Sequence, residues 1–98
     1  MTELTPQEQA QQIAAALQPN EKEKRHLLAY WAKRQAVRPT YGVIALRATQ
    51  AFGKCLNRAG LQVDDVQVTA WAMDNLCERL WSELEYPAQR ELLIAAKK

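Results

Sequence analysis

Ninety-eight residues can enclose one hydrophobic core but not two. Hydrophobic residues make up 48% of the chain and charged residues 24%, which excludes a disordered tail and a membrane-embedded chain. The formal net charge of +2 says little by itself, and three glycines with four prolines are too few for the tight turns of an all-β fold. The expectation is an all-α, compact single-domain bundle of four to five helices.

In chain order, the first eight residues carry Glu3 and Glu8, no base and no apolar stretch, unlike a secretory or organellar leader. Thr5-Pro6-Gln7-Glu8 then predicts a helix start. The threonine can cap it, proline suits the first helical position, and Glu8 completes a capping box. This helix is expected over 6–18, because Pro19 drives the preceding residue out of helical geometry. With only Ala10, Ile13 and Leu17 to bury, it should pack late and weakly.

Asn20-Glu21-Lys22-Glu23 repeats the capping logic and opens a second helix over 20–37, which Arg38-Pro39 ends. Its apolar stripe, Leu27, Leu28 and Trp31, is narrow. Thr40 is placed to cap a third helix over 41–59. The wide face of Ile44, Ala48, Ala51, Phe52, Cys55, Leu56 and Ala59 is rich in small residues that let another helix approach. Gly60 is suited to the left-handed position after it. Asp64 or Asp65 opens a fourth helix over 64–85, the best patterned, with Val66, Ala70, Met73, Cys77, Leu80 and Leu84 on one stripe. Pro87 opens a fifth over 87–96. The third and fourth helices are expected to form the centre, with Met73, Cys77 and Leu80 facing Ala48, Ala51 and Cys55.

Charge is unevenly spread. Between Glu21 and Arg58 nine bases meet two acids, a local charge of +7, whereas the chain from Ala59 onward carries −3. The candidate contacts for nucleic acid or an acidic partner are Lys22, Arg25, Lys33, Arg34, Arg38, Arg47, Lys54 and Arg58. A solvated face of two amphipathic helices is the plainer reading of the same residues. Trp71 falls about 150° from the centre of the fourth apolar stripe, beside Asp74 and Glu78. These three are candidates for a protein interface, unless another helix covers the indole.

Catalytic and metal chemistry find little material. His26 stands alone on the polar side of the second helix and reads as a solvated surface residue. Two separated cysteines and one histidine cannot build a structural zinc site, and no phosphate-loop, dinucleotide or zinc-protease motif occurs. Cys55 through Leu61, followed by Val66, has the turn glycine and trailing valine of a helix-turn-helix. Leu56 stands where that motif needs a small residue, and Asp64 and Asp65 would repel phosphates, so the motif is not assigned.

Cys55 and Cys77 fall on apolar helix faces and are too sparse for a disulfide framework, which fits a reducing cytoplasm. No apolar run approaches the roughly 18 residues of a membrane span. The sequence points to a shape and a charge layout rather than to an activity. The expectation is a non-enzymatic binding module without cofactors, a regulator or inhibitor acting by protein–protein contact, monomeric or homodimeric. The alternative is electrostatic nucleic-acid binding, or inhibition of a nucleic-acid-handling complex.

Overall fold

The computed structural model describes residues 3–36 and 42–97. It contains α1 (Pro6–Ala16), α2 (Glu21–Ala36), α3 (Gly42–Ala59), α4 (Val66–Ser82) and α5 (Tyr86–Ala96), with no strand among the described residues. The fold is all-α. The expected ends of α2 at Arg38-Pro39 and of α3 at Thr40 lie outside the described residues.

Local chemistry sets the other helix ends. Thr5 Oγ1 accepts from the Glu8 amide at 3.2 Å while Glu8 Oε1 accepts from the Thr5 amide at 3.3 Å, closing the first capping box. Asn20 and Glu23 form a second, through Asn20 Oδ1 at 2.8 Å and Glu23 Oε1 at 2.9 Å. Asp65 caps α4, its Oδ1 accepting from the amides of Gln67 and Val68 at 2.8 and 3.1 Å. At the end of α3, Gly60 takes a φ of +72°. The Leu61 amide then reaches back to the Leu56 carbonyl at 3.0 Å and the Gly60 amide to Asn57 at 3.1 Å, a Schellman motif.

The centre of the bundle is α2, which corrects the expectation that α3 and α4 would form it. α3 and α5 dock on α2, while α4 lies between α1 and α2. α2 buries Glu23, Leu27, Leu28 and Ala32, so its covered face is longer than its apolar residues advertise. Met73, Cys77 and Leu80 are buried as the α4 stripe requires, but Cys77 meets α2, its thiol 3.7 Å from the Leu27 carbonyl.

α1 is a second correction, for it packs extensively on α4 rather than weakly. Ala10, Ala14 and Leu17 are fully buried or nearly so, and the two alanines let the backbones come close. Arg79 of α4 donates to the carbonyls of Ala14 and Leu17 at 2.8 and 2.7 Å, tying the end of α1 to α4.

The molecule measures 48 × 27 × 23 Å with a radius of gyration of 13.7 Å, above the roughly 12–13 Å of a compact chain this long. The elongation accompanies an α3 whose first turns leave Val43 and Leu46 more than half exposed. Gly53 lies inside the same helix, and a Cβ there would meet no atom within 4 Å. Helical glycine carries a cost in backbone entropy, so Gly53→Ala is expected to stabilise the fold by about 0.5–1 kcal/mol and raise the melting temperature by about 2–8 °C. A variant melting no higher than the parent would contradict the open space around this position.

Candidate functional site

The eight candidate bases do not form one patch, because the fold uses three of them. Lys33 Nζ donates to the Ala96 carbonyl at 2.9 Å, fastening the end of α5 to α2. Arg34 pairs with Asp74 at 2.6 Å, joining α2 to α4, and its guanidinium lies over the rings of Tyr30 and Trp31 at 5.6 and 4.9 Å. Arg58 pairs with Glu23, donating to Oε2 at 3.1 Å, and also donates to the Gln18 carbonyl at 3.2 Å. Arg38 lies outside the described residues. Lys22, Arg25, Arg47 and Lys54 remain exposed, and no ion pair among the described residues engages them.

Three of those four converge. On α3, Arg47, Gln50 and Lys54 follow at i, i+3 and i+7, a single outward stripe. On α2, Lys22 and His26 follow at i and i+4 on the side facing it. Between the two helices runs a groove of about 410 Å³ lined by these five residues, with Asn20 at one end. His26 is half-buried in its wall, not a freely solvated side chain as its sequence neighbours suggest. Glu23 also borders the groove, but Arg58, the Asn20 amide and the Cys55 thiol already hold its carboxylate. The Arg58 hydrogen bonds hold that carboxyl down at about 2 against the opposing effect of burial, with smaller help from Asn20 and Cys55. Arg25 lies outside the groove.

Sequence reasoning found the cations of this groove and missed other features of it. His26 and Asn20 become part of it only because α2 and α3 pack side by side, whereas helical spacing alone sets Gln50 beside Arg47 and Lys54. Val43 stands four residues before Arg47 on the same stripe, with Leu46 beside it, so exposed aliphatic surface continues from the basic groove. That spacing was the available signal for the extension.

On the opposite side of α3 lies a cleft of about 380 Å³ between α3 and α4, floored by Tyr30, Phe52, Val63 and Met73. It exists because α3 and α4 both rest on α2 and have little contact with each other. Val66, at its mouth, is 83% exposed, so the buried valine of a helix-turn-helix is absent. Trp71 is half-buried against the core and borders a shallow depression with Gln7 and Gln11 of α1. Asp74, expected beside it at an interface, is engaged by Arg34, whereas Glu78 is exposed.

Both cysteines are free and buried. Burial pushes the Cys55 thiol up to about 11 and the Cys77 thiol to about 12, far from a reactive thiolate at neutral pH. No helix among the described residues is long and apolar enough to cross a membrane. The chain matches no protein-family model, no curated protein and no solved structure.

Proposed function

We propose that this protein is a non-enzymatic binding module that works by covering an acidic, partly apolar protein surface with the outer side of α2 and α3. One observation carries the reading. Lys22, Arg47 and Lys54 have no acid partner among the described residues, and the exposed side chains of Val43 and Leu46 continue their surface. Cations steer an acidic partner into register, and aliphatic side chains supply apolar area that association can bury. Among the described residues both thiols are pushed up by burial and neither is an activated nucleophile, which favours a binding role.

Nucleic acid is the second reading, favoured by the same three unpaired cations. A phosphate backbone has no use for Val43 and Leu46, which is why the protein partner comes first. Blocking a component of a nucleic-acid-handling complex would satisfy both charge and aliphatic surface.

The test compares the parent with Leu46→Asp/Arg47→Glu/Lys54→Glu in cross-linked co-purification from the native cell. The expected result is an acidic protein recovered with the parent and lost with the variant, while both melt alike. Equal recovery with both overturns the reading. If instead DNA or RNA binds with a log–log salt slope of at most about 2.7, three phosphate contacts at about 0.9 each, the second reading replaces it.

A further inference from the structure

We propose that the groove between α2 and α3 is a binding site for a phosphoryl dianion, seated between Lys22 on one helix and Arg47 and Lys54 on the other. This deepens the reading of the α2–α3 side as the working surface and rests on it. Three like charges converging on one concavity of about 410 Å³ repel one another, and an anion between them removes that repulsion. The single carboxylate on the wall, Glu23, does not answer them, because its oxygens are taken by Arg58, the Asn20 amide and the Cys55 thiol.

The uncharged lining adds donors of the right kind. Gln50 carries an amide N–H₂ and His26 a ring N–H, and both stand in the same groove. The groove also opens at the first turn of α2. There the Glu23 amide is taken by Asn20 Oδ1 and the Lys24 amide by the Asn20 carbonyl. The amides of Glu21 and Lys22 precede the first intrahelical bond, at the positive end of a helix sixteen residues long.

Ligand class follows from charge and lining. A carboxylate brings one negative charge to three cations. A phosphoryl group brings close to two, with three acceptor oxygens that cations on two helices can share. Among the described residues no Phe, Tyr or Trp lines the groove, so only the small His26 ring is there to stack a nucleobase, and its walls are too polar for an acyl chain. A compact phosphoryl group fits, either on a free phosphate ester or on a phosphorylated side chain of a protein partner.

The experiment is an NMR titration of the intact, isotope-labelled protein at constant ionic strength. Three probes are used: sodium pyrophosphate, a short acidic peptide carrying one phosphoserine, and the same peptide unphosphorylated. The expected result is saturable shifts confined to Lys22, His26, Arg47, Gln50 and Lys54, with Arg25 and Arg90 unmoved. Replacing Arg47 and Lys54 together with glutamine should weaken binding at least about tenfold while the melting temperature holds, since each charged hydrogen bond lost is worth a factor of that order. Should that variant fold poorly, Lys22→Gln probes the same site from α2. Tighter binding of the phosphopeptide names a partner's side chain as the source, and tighter binding of pyrophosphate a free phosphate. Non-saturating shifts spread over all surface cations, or equal affinity for the two peptides with no saturable pyrophosphate binding, overturn the proposal. Saturable pyrophosphate binding with no acidic protein recovered from cells would keep the site and discard the protein-partner reading.

Discussion

Phe52→Ala is expected to destabilise the protein by about 3–5 kcal/mol, the cost typical of emptying a buried aromatic site. Phe52 is 2% exposed and is the largest of the fully buried side chains. It also stands where α3 meets the rest of the molecule, bordering the cleft toward α4 with Tyr30, Val63 and Met73. Because α3 docks on α2 and barely touches α4, the pressure to close the resulting hole is low, and the cavity term should persist. A domain of this size has about 5–15 kcal/mol in total, so the melting temperature should fall by at least about 12 °C. Amide exchange gives the sharper readout. If α2 alone holds α3, protection in α3 should drop before that of α1 and α4. Uniform loss of protection across all five helices would show that α3 is coupled to the body more tightly than its contacts indicate.

Helix ends were legible because the chemistry that makes them is local. Thr5 with Glu8, Asn20 with Glu23, and Gly60 and Leu61 with Asn57 and Leu56 each act over three to five residues, and all form the contacts their spacing suggests. Helix pairing was not legible. Periodicity weighs side-chain size, so Ala10 and Ala14 make α1 look weak although small residues are what permit its close approach to α4. The same bias hid the centre of the fold, since α2 buries a glutamate and an alanine along with its two leucines.

The candidate site shows the same division. That Lys22, Arg47 and Lys54 are outward cations can be read from helical spacing alone. Which bases are left for a partner cannot. Lys33, Arg34 and Arg58 find their acceptors 63, 40 and 35 positions away, and no local pattern announces those contacts. Trp71 is intermediate: its angle away from the apolar stripe is local information, and its cover by α1 is not.

Arg58→Ala is the second large effect, and its sign with pH distinguishes it from ordinary loss of packing. Glu23 is 4% exposed, and its carboxyl is held at about 2, below its ordinary 4.5, chiefly by the Arg58 hydrogen bonds. A depressed folded value means the carboxylate contributes stability above pH 4.5 and loses it as pH falls toward 2. Without Arg58, burial becomes the dominant influence on that carboxyl and pushes it up. The variant then carries a stranded buried charge at neutral pH. The loss is smaller than for a fully buried pair, because half of the Arg58 side chain faces water and solvent can reach the carboxylate it leaves. Glu23→Gln should cost less, because the arginine it leaves behind can turn to water, and it should also flatten the acid limb of the stability curve. Urea unfolding at pH 7 and pH 3 checks both points. The gap between parent and Arg58→Ala should narrow sharply at pH 3, where protonation relieves the stranded charge in the variant, while the parent loses part of the pair's contribution because its unfolded chain takes up the proton and its folded carboxyl stays largely ionised. A gap that stays constant with pH would mean that Arg58 holds α3 to α2 by packing and not by its charge.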